Sequence, residues 1–316
     1  MSVRIAVLDD YQDVARGYAD WAALPDADVD FVHEHLGPDA LVERIGAASV
    51  VVAMRERTPF GADVLARLPE LRLLVTTGMR NAAIDVAAAR ARGVVVCGTA
   101  MHPHPTPELT WAMILDFVRP VRAYDAALRQ GRWQDSVSGE LSGRTLGIVG
   151  LGRLGTRLAR FGAAFGMTVQ SWSPHLTAER AAQHGASAVG KHELFATSDV
   201  VTLHMPLAEG TRGIVGRDEL RAMRPDALFV NTSRAGLVDQ DALREAIEGG
   251  WFARAALDVF DIEPLPVDHW LRASARTLLT PHMGYVTEAG LRLAYSEAVE
   301  DVAAFLAGAP IRLIDG

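Results

Sequence analysis

Short runs of β-branched and other apolar residues alternate along this chain with stretches rich in Ala, Leu and Arg whose apolar positions recur at helical spacing. That alternation is the pattern of a parallel sheet covered by helices on both faces. In the first part of the chain strands are expected at 4–8, 29–32, 49–53, 71–76 and 94–97, and these five make one doubly wound domain. A second series is expected at 145–149, 168–172, 200–204, 227–231, 255–258 and 277–279. Six strands are what a complete dinucleotide fold requires.

Between the two series lies Met101-His102-Pro103-His104-Pro105-Thr106-Pro107. Each proline disfavours helix at the residue before it, so the segment reads as a hinge. Thr106 suits an N-cap, with Pro107 at the first helical position and Glu108 in the first turn, which predicts a long helix over 109–128. After Pro281 too little chain remains for a third domain, and the helical stretch 288–306 is expected to return to the first one. The second domain is therefore inserted into the first: residues 1–103 with 283–316, and residues 104–282. No internal repeat or low-complexity segment interrupts this order.

A length of 316 residues gives each domain enough chain to bury a core. With 31 Lys+Arg against 39 Asp+Glu, a net charge of −8 and no dense basic tract, the composition argues against nucleic acid as a partner. The single cysteine, Cys97, excludes an internal disulfide and any multi-thiolate zinc site, and no metal is expected. It follows Val94, Val95 and Val96, a setting for inert packing rather than for a nucleophile. The apolar start from Val3 to Leu8 is stopped by Asp9 and Asp10, too short for a signal peptide. No uncharged run reaches the ~18 residues of a membrane span, so a cytoplasmic protein without a membrane partner is expected.

The strongest chemical signal is Gly150-Leu151-Gly152-Arg153-Leu154-Gly155, a G-x-G-x-x-G between a predicted strand and a helix expected over 156–165. Gly150 permits the tight turn, Gly152 lets backbone approach a pyrophosphate, and Gly155 allows close helix–strand contact. The helix N-terminus presents unpaired N–H groups to the anion, with Arg153 and Leu154 beside it. Dinucleotide folds that select NAD carry an acid at the end of the next strand. Here that place is held by Ser173, followed by Pro174 and His175, so either NAD or NADP is admitted. Of the helix arginines, Arg157 and Arg160 read as a solvated face, and His204 reads as a residue near the adenine.

Three further strand ends carry Arg234, Asp258 with Glu263, and His282. A fixed cation for a carboxylate, an imidazole for proton transfer and a carboxylate to orient it form a coherent set at one sheet edge. Each residue alone reads as an ordinary loop charge. Their coincidence beside a cofactor turn is what points to chemistry.

These residues give the chain a specific resemblance. Asn231-Thr232-Ser233-Arg234-Ala235-Gly236, Leu257-Asp258-Val259-Phe260 with Glu263-Pro264, and Pro281-His282 are similar to the motifs of the D-isomer-specific 2-hydroxyacid dehydrogenase family. The similarity runs from Val3 through Thr77-Gly78-Met79-Arg80-Asn81 and the glycine turn. It implies two doubly wound α/β parallel-sheet domains, a Rossmann cofactor domain inserted into a flavodoxin-like substrate domain. It further implies a homodimer and hydride transfer between NAD(P)H and the 2-carbon of a 2-oxo or D-2-hydroxy acid. By resemblance Arg234 binds the substrate carboxylate and carbonyl, His282 is the acid/base, Glu263 is its partner and Asp258 lies near the nicotinamide carboxamide. Gly78, Met79 and Arg80 would meet the substrate carboxylate, Arg55 and Arg57 could add cations, and Met283 and Tyr285 would line the side-chain pocket. The family's usual NAD-selecting acid is absent at Ser173.

A non-catalytic NAD-sensing scaffold of the same fold would keep the same residues and remains an alternative. A formate dehydrogenase is disfavoured because in that branch the His is paired with Gln, not Glu. A sugar-nucleotide or methyl-donor Rossmann protein would leave Arg234, Glu263 and His282 unexplained.

Overall fold

The central strands are almost wholly apolar, because each sheet is covered on both faces and both side-chain sets are buried there, whereas strands such as Ala27–Phe31 and Thr168–Trp172 admit polar residues. The computed structural model describes residues 2–315; Met1 and Gly316, the outermost residues of the expected split domain, lie outside the described residues. Along the chain the strands are β1 (Val3–Val7), β2 (Ala27–Phe31), β3 (Val50–Ala53), β4 (Leu73–Thr76), β5 (Val95–Gly98), β6 (Thr145–Val149), β7 (Thr168–Trp172), β8 (Ser187–Ala188), β9 (Val200–Leu203), β10 (Leu228–Asn231), β11 (Arg254–Leu257) and β12 (Thr277–Leu279). The helices are α1 (Ala15–Tyr18), α2 (Pro38–Ile45), α3 (Ala62–Ala66), α4 (Val86–Ala91), α5 (Pro105–Val118), α6 (Val121–Arg129), α7 (Gly155–Ala164), α8 (Ala178–Ala182), α9 (Lys191–Thr197), α10 (Arg217–Ala222), α11 (Gln240–Glu248), α12 (Trp270–Ala273) and α13 (Glu288–Leu306).

The chain divides into two units, one running up to His102 and resuming at Val286, the other Pro103–Tyr285. In the first, a five-stranded sheet has the order β2-β1-β3-β4-β5, all parallel. Leu8, Val51, Phe60, Leu65 and Leu74 anchor its core. Helix α13 packs against β4, β5 and α1, as the returning stretch was expected to do.

In the second unit a seven-stranded parallel sheet has the order β12-β11-β10-β9-β6-β7-β8. Strand alternation sends Val201 and Leu203 into one core with Phe229 and Leu257, and Val200 into the other with Ile148, Val230 and Trp111. Each fully buried Leu, Val or Phe contributes about 1.5–3 kcal/mol through removal of apolar surface from water. Both sheets are doubly wound α/β architectures, and the second has the dinucleotide-fold order extended by one strand.

Two local expectations are corrected. The helix predicted over 109–128 is two helices, because Pro120 has no N–H and forces Arg119 out of helical geometry, to φ −135 and ψ 77. Its start also differs: α5 begins at Pro105 with His104 at the N-cap, and Thr106 does not cap it. The seventh strand, β8, is only Ser187–Ala188, too short to leave a periodic signal.

The C-terminal segment is tied to the first unit through one buried acid. Asp301 of α13 is fully buried, accepts from Arg312 Nε at 2.9 Å, and leaves its Oδ2 without a hydrogen-bond partner. Arg312 also donates to Glu300 Oε2 and to the carbonyl of Glu297, while its own carbonyl accepts from Gly98 of β5. Burial raises the Asp301 carboxyl from 3.8 to about 6, against the pull of Arg312. A raised carboxyl binds its proton more tightly in the folded state, so stability should fall as pH rises from about 4 to 6, by about 3 kcal/mol at most, and level off above. Asp301→Asn should remove that part of the pH dependence. Denaturant unfolding of both proteins between pH 4 and 7 checks it, and parallel curves would show that Asp301 does not titrate there.

Cys97 is fully buried beside this group. Burial, then the Asp301 charge, push its thiol up to about 12, which leaves it without nucleophilic thiolate.

Candidate active site

In a parallel sheet every strand delivers its carboxyl end to the same edge, so the loops that follow β6, β9, β10, β11 and β12 share one edge of the second unit. The strand order reverses around β6, with β9 on one side and β7 on the other, and such a switch point opens a ligand crevice.

The glycine turn follows β6. Gly150 has φ +101, and a Cβ there would meet the His204 carbonyl oxygen at 2.6 Å. At Gly155 a Cβ would meet the Gly150 carbonyl oxygen at 2.1 Å, so those two glycines let the turn close on itself and on β9. A Cβ on Gly152 would meet nothing within 4 Å. Open space beside that backbone, at the N-terminus of the ten-residue α7, fits a pyrophosphate. Leu154 is the N-cap residue, and Arg153 is exposed beside it. At the end of β7, Ser173 is half-buried and Pro174 and His175 are exposed; no carboxylate stands there.

One expectation on this side is refined. Arg157 is half-buried and does not stand as a lone charge: its Nη1 lies 2.9 Å from Nδ1 of the exposed His104. His204 lies within the protein, its Nε2 2.8 Å from Thr202 Oγ1 and its Nδ1 buried without a partner. Burial pushes this imidazole down to about 4, so it is neutral at physiological pH.

At the other end of the edge, His282 Nδ1 lies 2.6 Å from Glu263 Oε2, and Glu263 Oε1 accepts from the Phe260 N–H at 2.9 Å. The carboxylate is thus fixed by its own loop and in turn fixes the imidazole. With Nδ1 engaged, Nε2 is the ring atom left to exchange a proton. His282 takes the left-handed conformation, φ +54, uncommon for a residue with a side chain. Asp258 stabilises that bend: Oδ1 accepts from Thr280 Oγ1 at 2.6 Å and Met283 N–H at 2.7 Å, Oδ2 from Gly284 N–H at 2.8 Å. Its burial raises the carboxyl, and the three donors and the His282 charge pull the other way. The Tyr285 ring meets the His282 ring edge-on, with centroids 5.6 Å apart.

Arg234 stands on the loop after β10. Asn231 sets this loop, its Nδ2 donating to the Arg234 carbonyl at 2.9 Å and its Oδ1 accepting from the Ser233 N–H. Ser233 Oγ donates to the carbonyl of Met205, beside the glycine turn. Arg234 Nη1 donates to the Ser233 carbonyl at 2.7 Å.

The structure therefore brings Arg234, Asp258, Glu263 and His282 to three adjacent strand ends, β10, β11 and β12. Sequence reading missed the threonines that hold them: Thr280 on Asp258, Thr106 donating to the Gly284 carbonyl, and Thr110 against Thr232. Thr106 had a signal in the sequence only as a helix cap, and Thr232 only as part of the run that ends in Arg234.

In the first unit, Gly78, Met79 and Arg80 follow β4. Gly78 has φ +105 and donates its N–H to Thr99 Oγ1 at 3.1 Å, so that N–H is already engaged; Met79 and Arg80 are exposed. A Cβ on Gly78 would meet Arg55 Nη1 at 2.2 Å, and Arg55 pairs with Glu56 at 3.5 Å. Arg57 donates to the Asp9 carbonyl and lies over the Tyr11 ring. Asp10, Asp13 and His33 also lie close together in this unit, but Asp10 accepts from the backbone N–H groups of Val14 and Ala15, as a loop anchor does. Among the described residues no helix is long and apolar enough to cross a membrane.

Residues 111–284 match the NAD binding domain of the D-isomer specific 2-hydroxyacid dehydrogenases. The chain is 37% identical over 277 residues to D-3-phosphoglycerate dehydrogenase of Mycobacterium bovis, a match covering 86% of this chain and 52% of that one. It thus spans about half the length of the first curated relatives it matches. It is 38% identical over 257 residues to glyoxylate reductase of Aeropyrum pernix, covering 78% of this chain and 76% of that one. Among solved structures it is similar to a phosphoglycerate oxidoreductase from Vibrio cholerae O395, with a TM-score of 0.91, 38% identity, and coverage of 98% of this chain and 100% of that one. With its cofactor-domain match, its identity to relatives across most of its own length and its doubly wound sheets, the chain belongs to the D-isomer-specific 2-hydroxyacid dehydrogenase family.

Proposed function

We propose that this chain reduces 2-oxo acids to D-2-hydroxy acids, and oxidises them in reverse, with a nicotinamide cofactor. The observation that carries the reading is the His282–Glu263 pair at 2.6 Å on the sheet edge that also bears Arg234 and the glycine turn. Gly150, Gly152 and Gly155, with Arg153 and Leu154, would hold the pyrophosphate. When bound, the reduced nicotinamide supplies a hydride to the substrate 2-carbon. His282, protonated, gives its proton to the carbonyl oxygen, which completes the hydroxyl. Glu263 keeps the ring oriented. Arg234 holds the carboxylate in its planar fork and stabilises charge developing on the oxygen. Asp258 maintains the His282 bend and would lie near the nicotinamide carboxamide, and the loop of Gly78, Met79 and Arg80 would add substrate contacts.

We further propose a homodimer. Exposed apolar side chains on the second unit, Trp133, Val137, Val121 and Leu128, support it. A single buried cysteine agrees with a reducing cytoplasmic setting.

The test is a panel of glyoxylate, hydroxypyruvate, phenylpyruvate and branched-chain 2-oxo acids, each with NADH and NADPH. Turnover of at least one is expected. Cofactor binding without turnover of any would favour the scaffold reading instead. The panel also addresses Ser173: without a carboxylate to repel a 2′-phosphate, NADPH should serve at least comparably to NADH. Ser173→Asp should shift the kcat/KM ratio toward NADH by about tenfold or more, since like charges brought together cost several kcal/mol. Strong NADH selectivity in the unaltered protein would place the discrimination on another residue.

A further inference from the structure

Helix α5 opens the second unit, and two of its threonines, one turn apart, reach two different loops of the site. Thr106 Oγ1 donates to the Gly284 carbonyl at 2.8 Å. The N–H groups of Met283 and Gly284 are held by Asp258, so the dipeptide after His282 is bonded through its N–H groups on one side and its Gly284 carbonyl on the other. Gly284 is also crowded: a Cβ there would meet Asp258 Oδ2 at 3.0 Å and Thr106 Cγ2 at 3.3 Å.

One turn on, Thr110 is fully buried. Its hydroxyl donates to the Thr106 carbonyl at 2.7 Å and lies 2.7 Å from Thr232 Oγ1. A hydroxyl has one proton, and Thr110 gives its own to Thr106. Thr232 must therefore be the donor in the second bond. Thr232 is 5% exposed and sits between Asn231 and Ser233, whose side chains shape the Arg234 loop. The line Gly284, Thr106, Thr110, Thr232 is thus a continuous hydrogen-bonded path from the His282 loop through one helix to the Arg234 loop. A helix wall needs no hydroxyls at these positions to bury its apolar face, and α5 already does so with Trp111, Ile114 and Val118.

We propose that Thr106 and Thr110 are positioning residues that use α5 as a common ruler, setting the His282 loop and the Arg234 loop relative to each other. The inference rests on the roles given above to Arg234 and His282. The two threonines should fail differently. Arg234 engages the carboxylate in the ground state as well as in the transition state, so displacing its loop weakens substrate binding more than it slows turnover. The His282 proton moves only during reaction, so displacing its loop slows turnover.

The experiment uses the full chain with the 2-oxo acid reduced fastest among glyoxylate, hydroxypyruvate and phenylpyruvate. Thr110→Val keeps the volume and removes the hydroxyl; KM for the oxo acid should rise about tenfold with a clearly smaller loss in kcat, in keeping with small misplacement of a group that binds the carboxylate. Thr110→Ser, which keeps the hydroxyl, should restore wild-type KM. Thr106→Val should lower kcat about tenfold with KM nearly unchanged. In an Arg234→Ala background, Thr110→Val should add nothing further, because its effect passes through the guanidinium. Parallel losses in kcat and KM from both valine variants, a full additional loss in the Arg234→Ala background, or no effect at all would overturn the proposal. So would a Thr110→Val protein that no longer binds NADH or NADPH, since the hydroxyl would then be needed for the fold itself. The reading beneath it fails separately, if Arg234→Ala alone leaves kinetics unchanged.

Discussion

Arg234→Ala should lower kcat/KM for 2-oxo acid reduction by about a hundredfold or more, corresponding to roughly 3 kcal/mol of lost transition-state stabilisation. The reason is geometric as well as electrostatic. Its loop is set by Asn231 and Ser233 before any ligand arrives, so the arginine is already held at the sheet edge. Arg234→Lys should recover only part of the loss, because an ammonium is a point charge and cannot make the paired contact. Steady-state kinetics for the three proteins decide the matter. Near-wild-type behaviour of the alanine variant would remove Arg234 from the site.

His282→Ala should lower kcat by about 10²–10⁴-fold, the usual contribution of a positioned proton donor. Cofactor binding should survive, since the glycine turn and α7 make no use of the imidazole, and quenching of protein fluorescence on titration with NADH or NADPH reads this directly. Glu263→Gln should cost less, about tenfold in kcat, because an amide oxygen can still accept from either the Phe260 N–H or the ring but carries no charge. An active His282→Ala protein would mean that the proton comes from another group. Loss of cofactor binding in that variant would instead mean that the bend at His282, with its φ of +54, supports more of the loop than the chemistry requires.

Much of this site is legible in the order of residues. Strands at 145–149, 168–172 and 277–279 coincide with β6, β7 and β12 because each is a short run rich in β-branched, aromatic or Leu residues between helical stretches, and such runs are readable. Helix α13 has the expected bounds for a similar reason: Thr287 caps its start, with its hydroxyl accepting from the Gly290 N–H. Where local signals compete, a distant partner decides between them. Thr106 looked like a cap, and its hydroxyl instead reaches Gly284, 178 residues away. Nothing within a few residues of Thr106 could reveal that partner. Arg157 likewise has helical spacing suited to a solvated face but meets His104.

The amino-acid sequence by itself determined the strand–helix alternation, the glycine turn and the identities of Arg234, Glu263 and His282, because periodicity, small residues at tight turns and ionisable groups at strand ends are local properties. Only the tertiary structure decided which partners those groups take. It placed Glu263 on Nδ1 of His282, gave Asp258 to the backbone of residues 283 and 284 and to Thr280, and buried Asp301 against Arg312 with one oxygen unsatisfied. Such pairings depend on distances between strand ends and helices far apart in the chain. The parallel sheet sets those distances by carrying every strand's carboxyl end to the same edge, and a hydrogen bond tolerates errors of only a few tenths of an ångström.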